Sequence, residues 1–112
     1  MESILNSIKK LLGIEPDYKQ FDQDIIMHIN TAFMILHQLG VGPNEGFSIV
    51  DDTQTWDTYM SKSDNIESVK TYIYLKVRLI FDPPTNSFLV SSIENLVKEI
   101  EWRLCVSAEG GD

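Results

Sequence analysis

The tripeptide Asp82-Pro83-Pro84, set inside YIYLKVRLIFDPPTNSF (Tyr72–Phe88), constrains this chain more than any other feature. Proline has no amide hydrogen to donate and restricts the residue before it, so a helix does not continue through two in succession. A nearly saturated apolar helix pattern runs into the pair, and a second begins within a few residues. The chain is therefore expected to fold as helices meeting at a firm corner made by Asp82, Pro83 and Pro84.

Upstream of the corner, Ile66, Val69, Ile73, Val77 and Ile80 form one stripe and Tyr72, Leu75 and Leu79 a second. Lys70, Lys76 and Arg78 interrupt them, which predicts a helix packed on two sides rather than a membrane span. Asp64 with Glu67 resembles a capping box opening this helix, which should end at Phe81. Downstream, Thr85 or Asn86 caps the last helix, expected to run to about Leu104 on the stripe Ile93, Leu96, Val97, Ile100 and Leu104. Glu94 with Lys98, and Glu99 with Arg103, are i,i+4 pairs on its wet side. Residues 105–112 read as a flexible C-terminal tail.

Three further helices are predicted. Ile4, Leu5, Ile8, Leu11 and Leu12 recur at helical spacing up to Gly13, with Lys9 and Lys10 in the last turn, where cations suit the dipole. Pro16 in IEPDYKQ prevents continuation. Asp22 to Leu39 forms a second helix with Ile25, Ile29, Phe33 and Leu36 on one face and Ile26, Met27 and Met34 widening it, so it is expected to be central. Gly40 stops it. The Gly/Pro-rich turn GVGPNEGF follows, and SIV is expected to be briefly extended. Asp52 or Thr53 then caps a short helix carrying Trp56, Tyr59 and Met60. The fold class is all-α: a compact bundle of about four to five helices in one domain, residues 1–104.

Composition limits what such a bundle does. Of 112 residues, 17 are acidic and 9 basic, a formal charge of −8 that disfavours coating nucleic acid. It still permits a wall past which DNA slides. One cysteine, Cys105, leaves no intramolecular disulfide and fits a reducing compartment. In MESILNSIKK the lysines follow the apolar residues, the reverse of a signal peptide, and the longest apolar run, AFMIL, is far short of a membrane span. The reading is a soluble, cytoplasmic protein.

No chemistry-bearing constellation survives inspection. His28 and His37 lie on roughly opposite faces of one helix, and His28 with Asp24 falls short of the three or four ligands a zinc site needs. Cys105 sits near a helix C-terminus, where the dipole disfavours a thiolate. Asp22/Asp24 and Asp51/Asp52 precede helices, where carboxylates have an electrostatic role. GVGPNEG lacks the lysine and glycine spacing of a phosphate loop. The remaining surplus is apolar: Trp56, Tyr59, Tyr72, Tyr74 and Trp102 are many large aromatics for a small chain, and some suit a neighbour's groove.

The ordered segments LLGI, FDQDIIMHIN, QLGVGP followed by EGF, Trp56, YIYLKVRLIFDPP and EIEWRL resemble the small head–tail connector, or neck adaptor, proteins of tailed double-stranded DNA bacteriophages and prophages. The resemblance spans about Ile4 to Leu104. It implies an all-α protomer with no enzymatic activity and no cofactor, assembling into a ring below the portal protein and extending the DNA channel in the virion neck. It further implies assembly in the bacterial host cytoplasm and a passage of DNA without specific binding. The implied partners are other copies of the chain, the portal protein and the next neck or tail component, with no membrane.

Carried onto this sequence, the resemblance makes Ile93, Leu96, Ile100, Trp102 and Leu104 docking candidates. Gly42, Pro43 and Phe47 in the loop, with Trp56 and Tyr59, become neighbour contacts. A rigid Asp82-Pro83-Pro84 corner would hold helices at the fixed angle that ring closure demands, since identical contacts must repeat and close. Two other readings stay open: a monomeric or dimeric helical module regulating a host protein, and a small enzyme using His28 or His37.

Overall fold

The computed structural model describes residues 2–59 and 66–110. Its helices are α1 (Ile4–Leu11), α2 (Asp22–Gln38), α3 (Trp56–Tyr59), α4 (Ile66–Phe81) and α5 (Ser87–Gly110). Among the described residues there is no strand, only an isolated bridge between Ser3 and Thr55, so Ser48–Val50 does not pair as an extended segment. The chain is an all-α bundle, as its periodicities predict.

α1 opens where the Ser3 hydroxyl accepts a hydrogen bond from Asn6 N at 3.2 Å, and it closes before Gly13, whose φ of 82° suits a residue without a Cβ. Ile4, Leu5 and Ile8 are buried, each contributing about 1.5–3 kcal/mol. Lys9 is also completely buried. Its ammonium donates to the carbonyls of Pro16 at 3.0 Å and Tyr18 at 2.7 Å, so the 14–21 linker is folded back onto α1. Asp22 Oδ1 lies 2.7 Å from the same nitrogen, an ion pair not aligned as a hydrogen bond.

α4 is the central helix. Val69, Tyr72, Ile73 and Val77 have no exposed surface, and the helix packs along both α2 and α5, which make little contact with each other. The bundle is flat, 40 × 35 × 19 Å, and its thin dimension is about two helix diameters. α2 is therefore an outer helix: Ile25, Ile29, Phe33 and Leu36 face inward, while Met27 and Met34 point outward, more than half exposed. The expectation that α2 is central is corrected, because α4 occupies that position.

Two helix boundaries differ from their sequence reading. α3 begins at Trp56 and not after Asp52 or Thr53, because the Asp51 carboxylate holds Thr53 N and Oγ in a turn of its own, at 2.9 and 2.6 Å. Asp64, the cap expected for α4, lies outside the described residues, as does Met60. α5 does not stop near Leu104 but continues to Gly110, so residues 105–110 are helical. Ala108 packs at the end of α2, where a Cβ on Gly40 would lie 3.4 Å from its own.

Candidate assembly surfaces

At the corner, α4 closes with Asp82 N donating to Arg78 O at 2.9 Å. Asn86 then caps α5, its Oδ1 accepting from Phe88 N at 2.8 Å and Leu89 N at 3.3 Å. Pro83 is exposed and Pro84 half-buried, so the turn rests little on core packing and depends on proline geometry and on these caps. Exposed Ile80, Phe88 and Leu89 surround it.

The loop after α2 is held in place by contacts at several points. Both its N–H and its C=O at Ile49 are bonded to the Asn30 side chain, at 2.8 and 2.9 Å. Phe47, Phe33 and Tyr59 form an aromatic triangle with ring centroids 4.7–5.2 Å apart, close enough for edge-to-face attraction. Gly42 has a φ of 95°, and a Cβ there would meet the Tyr59 hydroxyl at 2.7 Å. Only glycine fits. The Tyr59 hydroxyl is buried with no partner among the described residues, and burial pushes its pKa up to about 12.

These contacts sort the candidate residues. Trp56 and Tyr59 are 4% exposed and Leu104 is 2% exposed, so their apolar area lies inside the protomer. Trp56 also donates its indole N–H to Ser7 Oγ at 2.8 Å, a bond a buried indole requires. Gly42, Pro43 and Phe47 are partly covered by the same cluster. On α5, Ile93 and Ile100 are half-buried, Leu96 is 44% exposed and Trp102 is 65% exposed. Leu96 and Trp102 thus remain available to a partner.

Sequence reasoning missed the outer face of α2. Asp24, Met27, Thr31, Met34 and Gln38 are all exposed on it. The signal was present: from Ile25 to Asn44 there is no Asp, Glu, Lys or Arg. Beyond Asp24 at its start, this exposed face carries no charge and bears two methionines, the composition of an interface centre, where charged residues are depleted and Met enriched.

Charge is segregated along the chain. Between Glu15 and Glu67 there are ten acidic and two basic residues, which matches the entire net charge of −8. α4 and α5 instead carry mixed charges, with Lys76, Glu94, Lys98 and Glu101 lining one groove between them. Among the described residues no three His, Cys, Asp or Glu side chains gather to hold a metal ion, and no helix is long and apolar enough to cross a membrane.

A family model described as phage connector protein matches residues 4–111. No curated protein and no solved structure matches the chain.

Proposed function

The chain belongs to the phage connector protein family, a structural family of phage head–tail connectors, and from that premise we propose that it is a neck adaptor forming a ring below the portal protein. In this reading the ring extends the DNA channel, joins the portal on one side and the next neck or tail component on the other, and assembles in the host cytoplasm. The observation that best supports it is the unpartnered apolar surface of α5, with Phe88 at 75% and Trp102 at 65% exposure in a chain of only 112 residues. The docking surface on α5 comprises Leu96 and Trp102, flanked by Ile93 and Ile100. The loop residues Gly42, Pro43 and Phe47 contribute a contoured edge, with Trp56, Tyr59 and Leu104 supporting these surfaces from inside.

DNA passes through the ring without specific binding. The acidic stretch from Glu15 to Glu67 supplies a wall that repels phosphates, since each Lys or Arg at such a surface would add phosphate affinity. The corner at Asp82, Pro83 and Pro84 fixes the angle between α4 and α5 so that subunit contacts repeat and close.

Light scattering after gel filtration over a range of concentrations tests this reading, with the portal protein of the same phage added in a second series. A large closed oligomer, or a complex formed only with portal, is the expected result. A monomer or dimer indifferent to portal at every concentration overturns it in favour of a small regulatory module.

A further inference from the structure

The exposed face of α2 presents two methionines seven residues apart, Met27 and Met34, flanked along the same line by polar side chains. Asp24, Met27, Thr31, Met34 and Gln38 are separated by three, four, three and four residues, the 3.5-residue period of a two-helix seam. The flank of α5 carries the same spacing in reverse. Read from its C-terminal end, Arg103, Ile100, Leu96, Ile93 and Leu89 are also separated by three, four, three and four. Each row covers 15 residues, a rise of about 21 Å along the helix.

We propose that the α2 row of one copy packs antiparallel against the α5 row of the next, forming the subunit contact of the ring. In that register each layer is matched: Asp24 meets Arg103 at one end, Thr31 meets Leu96 in the middle, and Gln38 meets Leu89 at the other end. Charge complementarity fixes the direction, because the only charged members of the two rows are Asp24 and Arg103, of opposite sign and at ends that coincide only when the helices are antiparallel. Arg103 already pairs with Glu99 at 2.8 Å on the exposed surface, so its guanidinium stays accessible to a second carboxylate.

A second copy is the occupant these faces select. α2 and α5 are the outer helices on either side of α4, so their free faces are unlike surfaces on different flanks of one protomer. Unlike faces give a heterologous contact, the kind that closes into a ring rather than stopping at a dimer. Ile93 and Ile100 continue the protomer's own core to the edge of the row, so docking extends an existing apolar layer. A seam of two heptads is small beside the roughly 1,600 Å² of an ordinary stable interface, so each contact is weak alone and closure or portal binding reinforces it.

This inference rests on the ring reading, and the experiment separates the two. Full-length Cys105→Ser chains carrying Thr31→Cys, Leu96→Cys or both are oxidised under the conditions in which wild type assembles, and resolved on a non-reducing gel. Circular dichroism checks that each is folded. The expected result is a ladder of dimers, trimers and larger species from the double variant alone, with each single variant monomeric. Dimers from Thr31→Cys alone or Leu96→Cys alone overturn the proposal in favour of a symmetric contact. No ladder from the double variant while wild type assembles overturns the proposal and leaves the ring reading standing. Wild type that never assembles, with or without portal, overturns both. As an independent check, Asp24→Arg and Arg103→Asp each weaken assembly by up to about fivefold, and the two together restore it. Failure of the pair to restore assembly counts against the antiparallel register.

Discussion

The Tyr72 hydroxyl, on the fully buried face of α4, donates to Glu101 Oε2 on α5 at 2.7 Å. It is a charge-assisted bond that ties the central helix to α5 at the edge of the core. Burial first, and then the bond to Glu101 and its negative charge, hold the Tyr72 hydroxyl well above the ordinary tyrosine range. Tyr72→Phe removes the donor and is expected to cost about 1.5–3 kcal/mol, with α5 loosening from α4. Chemical denaturation measures the cost, and hydrogen exchange along α5 locates it. An unchanged midpoint with unchanged exchange would show that the bond contributes nothing.

Lys9 should be among the least replaceable polar residues. It is completely buried, bonded to two carbonyls of the 14–21 linker and paired with Asp22. Lys9→Met keeps the apolar stem but strands those acceptors and leaves Asp22, only 14% exposed, without its counter-charge. Removing one partner of a buried pair costs about 3–5 kcal/mol, so a large fall in thermal midpoint is expected. Lys10→Met, at an exposed neighbour, should change stability by less than about 0.5 kcal/mol.

The Gly42–Tyr59 contact predicts opposite effects for two substitutions. Gly42→Ala places a methyl group against the Tyr59 ring at a positive φ, and should destabilise by about 1–3 kcal/mol. Tyr59→Phe removes a buried hydroxyl with no partner among the described residues, and should be neutral or stabilising at neutral pH. Denaturation curves of the two variants check both signs.

Alkaline pH gives a related test. Because the folded Tyr59 has its pKa at about 12 while an unfolded tyrosine titrates near 10, the unfolded chain releases the proton first. This group takes nothing from the stability of the fold below about pH 10, and the fold loses stability through it as pH rises from there through about 12. Tyr72 acts in the same direction. Tyr59→Phe should therefore flatten the alkaline limb of the stability profile, and a limb identical to wild type would contradict this.

The proline corner is expected to govern assembly more than folding. Pro83→Gly with Pro84→Gly leaves the Asn86 cap and the α4 terminus intact, so helix content by circular dichroism should change little. Light scattering should show open or heterogeneous species in place of a closed ring. Normal rings from the double variant would remove the proposed role of the corner.

That the chain forms about four to five helices, with stops at Gly13 and Gly40 and a proline corner, was determined by the sequence alone. These features depend on periodicity, capping chemistry and backbone restriction, which act over a few residues and need no knowledge of neighbours. Leu11, Ile80 and Leu96, by contrast, belong to apolar stripes yet are exposed. Tertiary structure decided which apolar residues face the core and which face solvent. Trp56, Tyr59 and Leu104 have the chemistry of contact anchors, yet their own protomer covers them; Met27 and Met34 look like core and are exposed. Lys9, placed by sequence in a helix's last turn, became a buried fastener once the linker folded over it. α5 runs on past Leu104 to Gly110 and brings Ala108 beside Gly40 at the end of α2. A stripe in a sequence shows that a face is apolar, but its burial depends on which helix lies across from it, and that is settled only when distant segments pack together.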